Sequence, residues 1–296
     1  MSFRSIYLLI SYFFIFFYTT SLLINIPINL DTYQRMISSI SFFNQFELLD
    51  TLTSEFLAEL FFFIFFALFE LDPVYIRILF VWMAIIIFLS LFNKSGFFLF
   101  LLALTPPGEL LLFNITSFFI SSCFVFKLGI ELNSEKPRIL ICFILGILAL
   151  LFHWSAVIFI FFELLFILVF VRRQVVKNIS FYFIFIALSL ASILMLSDVM
   201  STKLNAYSSP NIGYNKFHIL MVFVYPVSLL FLNYALKLNS INIYRYSFLI
   251  IFIVLLYSLG YMKVGSRLLF FIDFALLIII YEKLSLYFRG KKEFII

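Results

Sequence analysis

The sequence predicts an all-α polytopic integral membrane protein, with about ten transmembrane helices and a short re-entrant half-helix in a single domain over residues 1–296. Three observations predict it. Hydrophobic residues make up 65% of the chain and charged ones 12%, whereas a soluble domain is about half apolar and about a quarter charged. The apolar excess runs along the whole length instead of gathering in one anchor, and a crossing needs about 20 such residues. The 20 Lys and Arg residues fall unevenly between alternate loops, as orientation in a membrane requires.

The expected crossings are 5–24, 56–71, 74–92, 110–130, 139–152, 155–171, 179–196, 218–236, 247–262 and 268–282. The first lacks a small-residue cleavage site and reads as a retained helix, not a signal peptide. Gly96–Leu104 is too short to cross and ends at Pro106 and Pro107, which stop a helix. It reads as the half-helix, tolerated at membrane depth only where protein or water covers it. With the N-terminus in the cytoplasm, Arg35, Lys94, Lys203, Lys216, Lys263 and Arg267 lie outside, and the other fourteen basic residues lie inside. Both termini are then cytoplasmic.

The run 139–171 is too long for one helix, and basic residues flank both ends: Lys136 and Arg138 before it, Arg172 and Arg173 after it. Two basic ends on one side require a hairpin. Its turn falls at His153-Trp154-Ser155, so His153 is expected at the outer surface or just below it.

Several function classes are excluded or unsupported. The net charge of +5 is explained by basic cytoplasmic helix ends, so no nucleic-acid partner is implied. Cys123 and Cys142 form no CxxC spacing and imply no disulfide framework. The two His residues have no ligand cluster, so no metal is expected. Neither a P-loop nor a GxGxxG stretch occurs, so no nucleotide cofactor is expected.

Polar residues gather on the outer side, in two long loops over 25–55 and 197–217. The first offers Asp31, Tyr33, Arg35 and Glu55. Met36, Ile37, Ile40, Phe42 and Phe43 between them make this an amphipathic stretch, lying on the membrane or packed on the bundle. The second offers Lys203, Tyr214, Lys216 and, at its end, His218, in a turn-rich setting. Lys263 and Arg267 stand four apart at the outer start of the last helix, suited to a lipid phosphate or to a snorkelling headgroup contact. Glu59, Glu163 and Asp273 fall inside spans, where an acid is costly unless paired or hydrated.

Four of these features together resemble a family. They are Asp31-Thr32-Tyr33 in the first outer loop, Glu55-Phe56 opening the second helix, His153-Trp154-Ser155-Ala156 in the mid-chain hairpin, and Arg267 starting the last helix. The arrangement resembles the EpsG-like branch of the Wzy-type polysaccharide polymerases, over about residues 25 to 275. The chain departs from the family pattern at Asn114, where an Arg is often found, and at Phe270 and Phe271, where a Tyr often follows the Arg.

The resemblance implies a GT-C-like polymerase in the bacterial inner membrane. It would join undecaprenyl-pyrophosphate-linked repeat units into O-antigen, capsule or exopolysaccharide at the outer face, without a cofactor. Membrane lipid and a Wzz-type chain-length regulator are the implied partners. Arg267 would hold the departing pyrophosphate, with Lys263, Lys203 or Lys216 assisting. His153 and Asp31 are rival bases for the acceptor hydroxyl. Arg35 would contact pyrophosphate or pair with Asp31, while Tyr33, Glu55, Ser155 and Tyr214 would line the substrate. A lipid-linked oligosaccharide flippase, a coupled transporter using the intramembrane acids, and a membrane acyltransferase are the alternatives.

Overall fold

In the computed structural model, the described residues are 3–25, 30–44, 55–92, 116–132 and 137–153, together with 156, 157, 160, 227, 228 and 231. The chain divides into two units, Met1–Leu194 and Met195–Ile296. Only the last three described residues belong to the second. Among the described residues every regular element is helical and none is a strand.

Helix α1 spans Phe3–Asn25 and α2 spans Leu30–Asn44. A short α3, Phe56–Phe62, runs into a π-helical turn over Phe63–Leu68. Then come α4, Pro73–Phe92, α5, Thr116–Leu132, and α6, Ile139–Phe152. The segment expected as a long outer loop therefore contains a fifteen-residue helix. Its apolar residues explain this: Met36 is buried, and Phe43 lies 5.9 Å from the Phe56 ring and 4.8 Å from Phe63. Those contacts favour the packed alternative for this stretch.

The stretch expected as a crossing over 56–71 is helical from Phe56 to Leu68. It is not one continuous α-helix. The Phe69 N–H donates five residues back to the Ile64 carbonyl at 3.1 Å, the pattern of a π-bulge. Glu70 then takes a left-handed φ of 50°, and the chain turns into α4. Asp72 starts that helix by accepting the Val74 N–H on Oδ1 at 2.8 Å. Pro73 fills the first helical position, where no N–H is missed.

Aromatic contacts join the helices. Phe16 meets Trp82 edge-on at 5.4 Å, and the Trp82 indole N–H donates to the Thr20 hydroxyl at 3.1 Å, tying α1 to α4. Phe88 and Phe119 approach to 6.1 Å between α4 and α5. Between α5 and α6, Phe124 stacks on Phe152 at 5.9 Å, and the Ser121 hydroxyl donates to the Ala149 carbonyl at 2.9 Å. Ser121 is buried, so this bond satisfies a hydroxyl that would otherwise be costly inside.

The bundle has an apolar interior, with Ile15, Leu23, Ile76, Phe88, Phe118 and Phe119 buried, but it also buries polar side chains and exposes large apolar ones. Ser11, Thr19, Ser39, Arg77, Ser117, Ser121, Ser122, Glu131 and His153 are buried. Large apolar side chains face outward, with Phe13 and Leu140 each more than 70% exposed and Leu9, Ile10 and Phe17 alongside. Exposed apolar faces of this breadth mark a surface that meets something other than water. Among the described residues one helix, Pro73–Phe92, is long and apolar enough to cross a membrane, with mean hydropathy 2.5. Shorter apolar helices cover Leu9–Asn25, Phe56–Leu68 and Ile139–Phe152. The half-helix expected over 96–104 and the four later crossings from 179 to 282 lie outside the described residues, apart from 227, 228 and 231. Of the crossing 155–171, residues 156, 157 and 160 are described, and they are helical.

The connection from α5 to α6 is closed by a forked ion pair. Arg138 Nε donates to Glu131 Oε1 at 2.7 Å and Nη2 to Oε2 at 2.8 Å. The Arg138 backbone N–H also donates to Oε1, at 3.3 Å. Glu131 therefore stands in for a cap on α6. Replacing Glu131 by Gln is expected to lower the unfolding temperature of the detergent-solubilised protein slightly. The loss should shrink as salt is raised, because the Arg138 end of the pair is solvated.

Candidate functional site

The main buried ionic network among the described residues is assembled from four elements. Glu55, the residue preceding α3, sits at its centre. The carbonyl of Glu55 accepts the N–H groups of Ala58 and Glu59, each at 2.9 Å, which fixes where the helix begins. The side chain makes no cap bond to α3 and is left available for tertiary partners. Glu59 follows one turn later, and i, i+4 spacing puts both carboxylates on one face of α3.

Arg35, from α2, meets that face. Its Nη2 pairs with Glu55 Oε2, and its Nε donates to Glu59 Oε1 at 2.8 Å. The guanidinium carbon lies 5.6 Å from the centre of the Phe62 ring, within cation–π range. From α5, the Ser117 hydroxyl donates to Glu55 Oε2 at 2.8 Å. From the end of α6, His153 Nε2 stands 3.0 Å from Glu55 Oε1.

The position of His153 follows from the local backbone. Helix α6 stops at Phe152, and His153 turns to an extended conformation at φ −158° and ψ 119°. Its N–H still bonds the Ala149 carbonyl at 3.0 Å, and its own carbonyl accepts the Ala156 N–H at 3.0 Å. The imidazole is thereby held at a break between two helical stretches. Phe118 meets the ring edge-on at 5.2 Å. The His153 side chain is only 4% exposed, Glu55 and Glu59 are each 13%, and Arg35, at 29%, is the most open member.

Burial and charge act in opposite directions on these groups. Burial alone would raise the Glu55 carboxyl. The Arg35 guanidinium, reinforced by His153 and the Ser117 hydroxyl, outweighs it and holds Glu55 down at about 2, against an ordinary 4.5. Burial likewise works to lower Arg35, but the two carboxylates raise it above its ordinary value. Because the folded Glu55 value lies below the unfolded one, its contribution to stability is complete above pH 4.5 and is lost as pH falls through about 2. Thermal unfolding of wild type is therefore expected to weaken over that interval, and that of Glu55→Gln to weaken less. Equal slopes for the two would contradict the assignment.

Of the residues singled out by sequence, Arg35, Glu55 and His153 converge. Arg35 takes Glu55 and Glu59 as partners; the pairing with Asp31 expected as one of its two roles involves a side chain outside the described set. Tyr33 is exposed and sits edge-on to Phe66 at 6.4 Å, away from the network contacts. Asp31 lies on the first turn of α2, one turn ahead of Arg35, and its side chain is outside the described set. Ser155, Lys203, Tyr214, Lys216, Lys263 and Arg267 lie outside the described residues, as do Glu163 and Asp273. Glu59 and Ser117 belong to the network but were not assigned to it from sequence. The four-residue spacing from Glu55 was the available signal for Glu59; Ser117 carried none. Among the described residues no group of three or more His, Cys, Asp and Glu is placed to hold a metal ion.

No family model, curated protein or solved structure matches this chain.

Proposed function

We propose that this chain is a membrane polymerase of the Wzy type, joining lipid-pyrophosphate-linked oligosaccharide repeat units at the outer face of the bacterial inner membrane. The observation that carries the reading is the 3.0 Å approach of His153 Nε2 to Glu55 Oε1, with Arg35 fixing the carboxylate. An imidazole held by a carboxylate is the arrangement of an oriented general base. The exposed apolar faces of the helices support a bilayer as the surrounding medium; ten crossings with both ends in the cytoplasm belong to the same proposal.

In this reading a hydroxyl of the incoming repeat unit attacks the anomeric carbon of the growing glycan. The bond from that carbon to the pyrophosphate oxygen breaks, and the electron pair leaves with undecaprenyl pyrophosphate. The hydroxyl proton passes to His153, and Glu55 stabilises the imidazolium that results. Arg267, with Lys263, Lys203 or Lys216, stabilises the departing anion, a contribution commonly worth several kcal/mol. Asp31 is the rival base. A proton-coupled transporter is less well supported, because Glu59 is committed to Arg35.

The test is a gene deletion in the native host, with surface glycans resolved on a gel. Loss of the long-chain ladder, with one repeat unit left on its acceptor, is the expected result. Wild type restores the ladder and Arg267→Ala does not. An unchanged ladder removes this glycan as the product. Loss of the single-repeat band places the protein upstream, as a flippase or in repeat assembly.

A further inference from the structure

A carboxylate that holds an imidazole must itself be kept from turning, and the Glu55 carboxylate is divided between its partners. Oε2 takes two donors, Nη2 of Arg35 and the Ser117 hydroxyl at 2.8 Å. Oε1 is the oxygen that stands 3.0 Å from His153 Nε2. Arg35 alone is a poor clamp for this purpose. It is long, it is the most open member of the network, and its Nε is also drawn to Glu59 at 2.8 Å. Ser117 is buried, and its short side chain has a single donor to give, so its bond fixes Oε2 in one place.

The same helix reaches His153 from two further directions. Phe118, the next residue of α5, meets the ring edge-on at 5.2 Å. Ser121, one turn on from Ser117, donates to the Ala149 carbonyl at 2.9 Å, and that carbonyl also accepts the His153 backbone N–H. Helix α5 therefore touches the carboxylate, the imidazole and the backbone that carries the imidazole. Resting on the polymerase reading, we infer that Ser117 is a positioning residue for the reaction: it holds Glu55 so that Oε1 faces His153. Its effect passes through Glu55, and α5 is the frame that registers carboxylate and imidazole against each other. A hydrogen bond to a charged acceptor is about twice as strong as a neutral one. With the Ser117 hydroxyl gone, the carboxylate is free to turn, and the imidazole loses a fixed partner.

The test reads the imidazole directly, by NMR of the ring nitrogens in full-length protein carrying isotope-labelled histidine in detergent. The chain has two histidines, so the His153 signal is the one missing from His153→Gln. Ser117→Ala is expected to displace that signal, and Ser117→Thr, which keeps the hydroxyl, to return it to the wild-type position. Ser122→Ala is the control. It removes another buried hydroxyl of α5, bonded to the Phe118 carbonyl at 2.7 Å, and should leave the signal in place. In the deletion host, Ser117→Ala should cut polymerisation by about tenfold, the scale of one hydrogen bond to a charged group, and Ser117→Thr should restore the long chains. A His153 signal unmoved in Ser117→Ala overturns the inference, and so does an equal displacement in Ser122→Ala. If Ser117→Ala does not fold, Ser117→Cys, close in shape but a weak donor, takes its place with the same outcomes. An unmoved signal in a protein whose gene deletion abolishes the ladder sinks this inference alone. A ladder that survives the gene deletion removes the polymerase reading, and the ring signal still decides whether Ser117 positions His153.

Discussion

Replacing Arg35 by Met is expected to destabilise the folded protein by about 3 kcal/mol, because breaking a buried ion pair strands its partners. Two carboxylates, Glu55 and Glu59, would then face one another across a space vacated by their shared cation. Met keeps the unbranched aliphatic stem but removes the guanidinium and with it the cation–π contact to Phe62, so the loss reports charge, hydrogen bonding and that contact together. Adding Glu59→Gln to Arg35→Met is expected to recover part of the stability, since only one carboxylate remains to be stranded. Thermal unfolding in detergent of the two single variants and the double one closes the cycle. If the double variant shows the simple sum of two losses, Arg35 and Glu59 are not coupled, and the network as described is wrong. Arg35→Lys should fall between, because an ammonium keeps the charge but cannot span both carboxylates with a planar fork.

The second large effect concerns His153. On the proposed polymerase function, His153→Ala is expected to reduce polymerisation by about 10² to 10⁴-fold, the usual range for losing a general base. In the deletion host this reads as loss of the long chains with the single-repeat band retained. Glu55→Gln should reduce chain length less than His153→Ala does, since the amide can still orient the ring but cannot stabilise an imidazolium. Membrane levels of each variant, measured by an epitope tag, separate lost chemistry from lost insertion. Normal chain lengths from a well-expressed His153→Ala protein would remove His153 from the reaction and leave Asp31 as the base to test.

The parts of this fold that were legible in sequence are those written in local patterns. The helix over 139–152 is bounded by Arg138 on one side and by a polar break on the other, and both signals are contiguous. The body of α4 was legible as the apolar run 74–92, whereas its cap at Asp72-Pro73 emerges from the structure. Helix α2 was visible only as amphipathic spacing, because its apolar residues are interleaved with Asp31, Arg35, Ser38, Ser39 and Ser41. The π-turn at Phe63–Leu68 left no mark, since its six residues are apolar and suit an ordinary helix equally well.

The site divides in the same way. His153 was conspicuous because a histidine in an apolar run is rare. Glu55 was noted for its place at a helix start. What sequence did not contain was the pairing. Arg35 reaches Glu59 across 24 positions, and Ser117 reaches Glu55 across 62. Such partners are set by how α2, α3 and α5 pack, and no spacing rule encodes them. The position of Glu59 within a span calls for a partner or hydration, but only the packing supplies the partner, a guanidinium from another helix.

The separation of those partners along the chain has a consequence for the order of assembly. The Glu131–Arg138 fork joins residues only seven apart, so the α5–α6 hairpin closes a short loop at small entropic cost and can form early. The Glu55 network needs α2, α3, α5 and the end of α6 to be in place together, and is therefore among the last contacts made. A chain halted before that point has its helices but no oriented imidazole.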